Sequence, residues 1–426
     1  MFIYDLLRSA NHRLKAAKKS RMGRFISPVR RIERVWPVKG ERVCAMTFDD
    51  GPARTPAEPD VGGGRPLTRL LADILTEYGA SATFDVVGDT SENYPDRRGE
   101  PDKFYWGGES YDHYPDFERD GDGGAKNCPE LIRYLLDAGF EISNHGYRHV
   151  LFGKSPVYAR RKPFGSLEAV TADLTRLHTL LETEFGYTIR LARPPHYIDG
   201  IAGGFTSYDA YDLMGYHYMA ASFDGGGWKP EDGSFENDVR GMVEPIRRAL
   251  AQDPEFFNGQ IIFQKDGCNM SRKTPVAAAL PLQLALLRDY GYRVVSVSEL
   301  TALSPFEDLA PEDECFEAAR ALEARRIPIG YRTNELRPDG ILTLGELGMA
   351  LCPRQERLEG VRQRSGPYGA ALRWTAEHGV SGKAGEPVRS GDFSRLMESA
   401  GLAASVPDRP SFTRREALIL LAGAME

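Results

Sequence analysis

The feature that most constrains this chain is an alternation of two patterns. Short apolar runs alternate with stretches of helical periodicity, and two of those stretches stop at a glycine. Residues 42–48 form a strand-like run that the Gly51-Pro52 pair closes. Leu67, Leu70, Leu71, Ile74, Leu75 and Tyr78 then recur at helical spacing, with Gly79 as the stop. Residues 82–87 read as a second strand, and Leu131, Ile132, Leu135 and Leu136 as a second helix ended by Gly139. Residues 140–143 read as a third strand and 167–185 as a further helix. Residues 260–263 and 293–297 read as late strands with a helix over 276–290 between them. Strands alternating with helices of this length predict an α/β fold, with βα units around a parallel sheet or barrel.

The texture changes near residue 304. Beyond it the sequence reads as short helices joined by Gly-Tyr and Gly-Val turns. Three parts are therefore expected: a basic N-terminal segment (1–38), a βα domain (39–303) and a mostly helical module (304–426). Residues 1–34 hold ten Lys/Arg against Asp5 and Glu33. They read as a solvated helix or as a basic amphipathic helix on an anionic surface. The apolar residues Phe2, Ile3, Leu6 and Leu7 stop short of a secretory core of about 7–15 residues, so the sequence predicts a cytoplasmic protein. No apolar run reaches the roughly 18 residues of a membrane span. The net charge of −7 argues against a global basic surface for nucleic acid. Five cysteines are scattered without a C-x-x-C pair, which argues against a disulfide framework or a cysteine zinc site. The insertion Ser91–Asn127 carries ten acidic residues, seven aromatics and six glycines. Its aromatic content argues against disorder, and it reads either as a lid or groove wall or as a solvated loop.

Three segments of the βα domain carry the side chains of a hydrolytic metal centre. Asp49-Asp50 stand at the C-terminal end of the first strand, the end that carries chemistry in αβ barrels. His145 and His149 frame Gly-Tyr-Arg after the third strand. One carboxylate and two imidazoles leave a coordination position open for water. A divalent ion there lowers the pKa of water to about 7 and polarises a carbonyl, and the adjacent carboxylate serves as general base. Alone, Asp-Asp-Gly-Pro is often a turn and H-x-x-x-H a pair of core or surface histidines. Finding both at strand ends in one βα series favours the site.

Together these segments resemble the NodB-type polysaccharide deacetylases. The resemblance rests on Thr47-Phe48-Asp49-Asp50-Gly51-Pro52, on Asn144-His145 with His149, and on Arg193-Pro194-Pro195. It runs from about Arg42 to Leu303 and implies a distorted (β/α) barrel. It further implies Asp49 as general base, and Asp50, His145 and His149 as ligands of zinc or of another divalent ion such as Co2+ or Ni2+. Arg193 would keep Asp49 ionised, the backbone near His196 would help hold the oxyanion, and Trp228 would wall the acyl pocket.

The chain departs from the family pattern on the leaving-group side. Lys265 stands where the acid histidine is usual, in Gln264-Lys265-Asp266. Gly225-Gly226-Gly227 precede Trp228, leaving Asp224 as the upstream carboxylate, and His196 replaces an aromatic. Lys265 can donate a proton to a leaving nitrogen. Residues 304–426 resemble degenerate S-layer homology repeats, through Thr343-Leu344-Gly345-Glu346, Arg389-Ser390-Gly391-Asp392 and Thr413-Arg414-Arg415-Glu416. That resemblance implies binding to cell-wall polysaccharide and a place in the cell envelope, against the cytoplasmic expectation. The resulting expectation is a metal-dependent hydrolase removing N-acetyl groups from an amino-sugar polymer or oligosaccharide. Two others stand beside it: a hydrolase of a small amide or cyclic imide, and a catalytically silent carbohydrate-binding relative.

Overall fold

The structure is a computed structural model. It describes residues 23–93, 121–156, 158, 161–228, 234–269, 273–363, 365 and 368–425, and the backbone of 101–102 and 108–109. Most of the 91–127 insertion and the basic stretch 1–22 lie outside the described residues. The chain divides into two compact units, Pro37–Leu303 and a second that joins Met1–Trp36 to Ser304–Glu426.

In the first unit the strands are β1 (Arg42–Asp49), β2 (Thr83–Val86), β3 (Glu141–Asn144), β4 (Leu191–Ala192), β5 (His217–Met219), β6 (Phe223–Asp224), β7 (Ile261–Lys265) and β8 (Tyr292–Val295). Within this unit they hydrogen-bond in the order β5-β4-β3-β2-β1-β7-β6, with β8 alongside the first half of β1. Every one of these pairings is parallel. Strands β5 and β6 sit at opposite ends of this order, yet only residues 220–222 separate them. That link spans at most about 14 Å, whereas six flat strand spacings would need about 29 Å. The sheet must therefore curl until its two edges approach. The result is a distorted barrel, and among the described residues no ladder closes it.

Strand β1 is buried along nearly its whole length, with Val43, Cys44, Ala45, Met46 and Phe48 inaccessible. Burial on both faces explains why it reads as a continuous apolar run rather than an alternating one. Phe48 stacks on Phe84 of β2 at 5.1 Å, and Phe84 meets Phe140 edge-on at 5.4 Å. The helices α1 (Leu67–Glu77), α2 (Pro129–Asp137), α3 (Leu167–Phe185), α4 (Ser207–Met214), α5 (Phe235–Gln252), α6 (Pro275–Asp289) and α7 (Val297–Leu303) complete the unit. The Ser166 hydroxyl caps α3 by accepting from the Ala169 amide, and Gly186 closes it in the left-handed region. Strands β4, β5 and β6 and helices α4, α5 and α7 are additions to the elements expected from sequence. Strands of two or three residues leave no periodicity to read, and Pro245 interrupts the pattern of α5.

The second unit holds α8 (Phe316–Ala324), α9 (Leu344–Leu351), α10 (Arg354–Arg362), α11 (Gly369–Glu377), α12 (Ser390–Ser399) and α13 (Arg414–Ala424) around one apolar cluster. Two of the three boxes noted in the sequence are helix capping boxes: Thr343 with Glu346 opens α9, and Thr413 with Glu416 opens α13. The third, at α12, makes no cap bond. Residues 23–36 belong to this unit. Buried Arg30 donates to Pro305 O at 2.6 Å, pairs with Glu323 and lies over the Phe306 ring at 4.5 Å. All five cysteines are buried and unbridged. Among the described residues no helix is long and apolar enough to cross a membrane.

Candidate metal and hydrolytic centre

The parallel register sets the centre. Asp49 of β1 lies level with Lys265 of β7 on one side and with Asp85 of β2 on the other, and Asp85 lies level with Ser143 of β3. Parallel strands in register bring their C-terminal ends to one rim, so residues far apart in sequence meet there.

Asp50 follows β1 in a left-handed conformation (φ 80°), and His149 adopts another (φ 54°). Such conformations are sparsely populated by non-glycine residues and persist where the surroundings hold them. Asn144 at the end of β3 accepts from the Gly146 amide at 2.9 Å, and buried Asp173 of α3 accepts from the Tyr147 amide at 2.8 Å and from Arg148 Nε at 2.8 Å. These bonds fix the turn that carries the two histidines. Asp50 Oδ1 then lies 3.2 Å from His145 Nε2 and 3.1 Å from His149 Nε2. The three donor atoms form one cluster. Tetrahedral zinc with N and O ligands at about 2.1 Å requires ligand atoms about 3.4 Å apart. The set Asp50, His145, His149 fits a divalent ion of this kind. Its hard oxygen and two imidazoles suit zinc and the neighbouring transition metals alike.

Asp49 sits beside this set, with Oδ2 3.9 Å from His145 Nε2. Its Oδ1 accepts from Arg193 Nη1. Arg193 is fully buried, and it is satisfied across the barrel interior by Thr47 Oγ1 at 3.1 Å, Met219 O at 3.1 Å and Ala220 O at 3.2 Å. Burial pushes the Asp49 carboxyl up to about 7, with Arg193 and His145 opposing the rise. Burial acts the same way on Asp50, but Lys265 and His149 outweigh it and hold this carboxyl well below the usual range. For His145, burial disfavours the charged ring, yet the Asp85 and Asp50 carboxylates hold it well above the usual imidazole value. A bound cation reverses that preference, because a metal ligand must be neutral imidazole.

Lys265 projects from the end of β7 and its ammonium pairs with Asp50 Oδ2. Next to it, buried Asp266 accepts from Thr68 Oγ1 at 2.6 Å, and burial raises its carboxyl to about 7. The Gly225-Gly226-Gly227 turn lies against β7, where the Gly225 amide donates to Phe263 O at 2.9 Å. A Cβ on Gly225 would overlap that strand, and Gly227, directly before Trp228, has φ 86°. Asp224 at the end of β6 takes over contact with the ring, accepting from Trp228 Nε1 at 3.1 Å and from the Gly226 amide at 2.9 Å. The His196 ring stands 4.9 Å from that of His149 and 4.3 Å from Tyr158.

Asp49, Asp50, His145, His149, Arg193 and Lys265 thus meet in one cluster. His196 borders it through His149, and Asp224 and Trp228 form a pair at the end of β6. Reading the sequence missed Asp85 and Asp173. Asp85 left a signal, a carboxylate inside the apolar run 82–87. Asp173 left none, since it occupies an ordinary helical position.

Comparison with known proteins adds the following. Residues 37–198, less than half of the chain, match the family model described as polysaccharide deacetylase. No curated protein matches the chain. Among solved structures, the chain is similar to the peptidoglycan deacetylase PdaC from Bacillus subtilis, with 22% identity over 62% of this chain and 92% of that one and a TM-score of 0.39. A CE4 family pseudoenzyme from Bacillus anthracis shares 16% identity over 65% and 69% of the two chains, with a TM-score of 0.42. A family 4 acetyl xylan esterase from Clostridium thermocellum, solved with cobalt, shares 18% over 62% and 95%, with a TM-score of 0.39.

Proposed function

We propose that the unit Pro37–Leu303 is a metal-dependent amide hydrolase that removes acetyl groups from an N-acetylated amino-sugar polymer or oligosaccharide. The observation that carries this reading is the convergence of Asp50, His145 and His149 beside a buried Asp49 whose second oxygen faces them. The polysaccharide deacetylase match over residues 37–198 supports the substrate class.

A zinc, cobalt or nickel ion on those three residues would supply Lewis acidity and lower the pKa of water. Asp49 Oδ1 is engaged by Arg193, so Oδ2 is the oxygen that takes a proton from water. Arg193 fixes the orientation of this carboxylate, and because its guanidinium is satisfied on every side it does not swing toward substrate. Lys265 holds the proton that the leaving nitrogen must gain. Trp228, steadied by Asp224, and His196 border the acyl side.

The test is acetate release from chitin oligosaccharides and from peptidoglycan by the zinc- and cobalt-loaded protein, with Asp49→Asn as control. Release that the control loses supports the reading. No release from either substrate with either metal overturns it. A second reading, a silent carbohydrate-binding relative, is favoured by one observation: the Lys265 ammonium already pairs with Asp50. Its signature is oligosaccharide binding without acetate release.

A further inference from the structure

We infer that Asp85 is a positioning residue for the metal centre, a buried carboxylate that orients His145 and offsets the positive charge gathered around the ion. The inference rests on the metal-dependent reading above.

Asp85 is fully buried in the middle of the sheet. The register fixes it between Asp49 on β1 and Ser143 on β3. Its Oδ1 accepts from the Ser143 hydroxyl. Its Oδ2 lies 2.7 Å from His145 Nδ1, an ion-pair contact, and accepts no hydrogen bond among the described residues. A buried carboxylate oxygen left without a donor is costly, and positive charge on or beyond the adjacent His145 ring offsets that cost. The hydrogen bond at Nδ1 runs to the Arg193 carbonyl, 2.9 Å away, which can only accept. The carbonyl acceptor and the adjacent carboxylate keep a proton on Nδ1, so Nε2, beside Asp50 Oδ1, is the nitrogen that can ligate an ion. A carboxylate behind a ligating histidine fixes its tautomer and raises its basicity.

The second part of the inference is charge. At this centre the Asp49 and Asp50 carboxylates pair with the cations Arg193 and Lys265, and Asp85 lies against His145. Lys265 adds a cation next to the ligand set, and a divalent ion adds two more positive charges in a region shielded from water. Among the described residues Asp85 forms no ion pair with Arg193 or Lys265; its charge acts on the centre at closest range through His145.

The experiment measures zinc dissociation constants by chelator competition for the full chain and for Asp85→Asn, Asp85→Ala, Ser143→Ala and the His145→Ala/His149→Ala pair. Thermal unfolding of each apo form is recorded alongside. Asp85→Asn keeps an acceptor but removes the charge, and should weaken zinc about tenfold; Asp85→Ala should weaken it up to about 100-fold. Ser143→Ala frees Oδ1 without changing charge and should cost a few-fold. A role confined to folding would lower apo stability and leave the zinc constants alone. Zinc binding by folded Asp85→Asn within twofold of the parent overturns the inference. If neither Asp85 variant folds, unchanged zinc binding by Ser143→Ala overturns it instead. A parent that binds zinc no better than the double-histidine variant refutes the metal reading itself, a separate result.

Discussion

Replacing Lys265 with Met should tighten metal binding while slowing turnover. The Lys265 ammonium pairs with Asp50 Oδ2, and the opposite oxygen faces the two imidazoles. An ion seated at about 2.1 Å from Oδ1 would lie roughly 5 Å from Nζ. Repulsion between a divalent and a single positive charge at that distance is about 1.7 kcal/mol in bulk water and about 6.6 kcal/mol at an effective dielectric of about 20. Lys265 is largely buried, so the first figure is a lower bound. Each 1.4 kcal/mol is about tenfold in affinity, and Lys265→Met should therefore bind zinc at least about tenfold more tightly. Removing the competitor for Asp50 acts in the same direction. Turnover should nonetheless fall by about 10² if the ammonium supplies the leaving-group proton. Chelator competition gives the affinity, and acetate release at saturating zinc gives the rate. Zinc affinity unchanged or weaker in Lys265→Met would refute the electrostatic argument. Turnover equal to the parent's would remove Lys265 as the acid while leaving that argument intact.

His145→Ala with His149→Ala should abolish tight zinc binding, and metal analysis at full stoichiometry in that variant would sink the ligand set. Asp49→Asn should lower kcat by about 10² or more with metal content unchanged, which single-turnover acetate release on zinc-loaded protein can check. Arg193→Met removes one partner of a buried ion pair and should cost about 3–5 kcal/mol in urea unfolding; a loss under 1 kcal/mol would mean the pair contributes little. Asp89 is buried and accepts from Lys126 Nζ at 2.8 Å, Asn127 Nδ2 at 2.9 Å and the Ser91 amide at 3.0 Å. Burial alone would raise this carboxyl, but these bonds hold it below the usual value. Its ionised form therefore stabilises the fold above about pH 4, and that contribution fades as pH falls through the lowered pKa. Asp89→Ala should cost about 2 kcal/mol at pH 7 and less at pH 3; a pH-independent cost would show that charge is not what the site uses.

What is local was already legible in the order of the amino acids. The strand over residues 42–48, the glycine stops at Gly79 and Gly139, and the placing of Asp49-Asp50 and His145 at strand ends each depend on a few neighbouring residues. Periodicity and turn chemistry record these directly. The candidate ligands were legible for the same reason, since each follows a strand that reads as one. The tertiary structure decided which strands are neighbours. Nothing within residues 82–87 says that Asp85 lies between Asp49 and Ser143, because strand order comes from packing and crossover rather than from any one strand's pattern. The Lys265–Asp50 pair likewise exists only once β7 lies beside β1 in register. The docking of residues 23–36 into the helical unit, through Arg30 to Glu323 and Pro305, joins segments nearly 300 residues apart. Stretches as short as β4 and β5 carry no periodic signal, and only the curling of the sheet gives them a place.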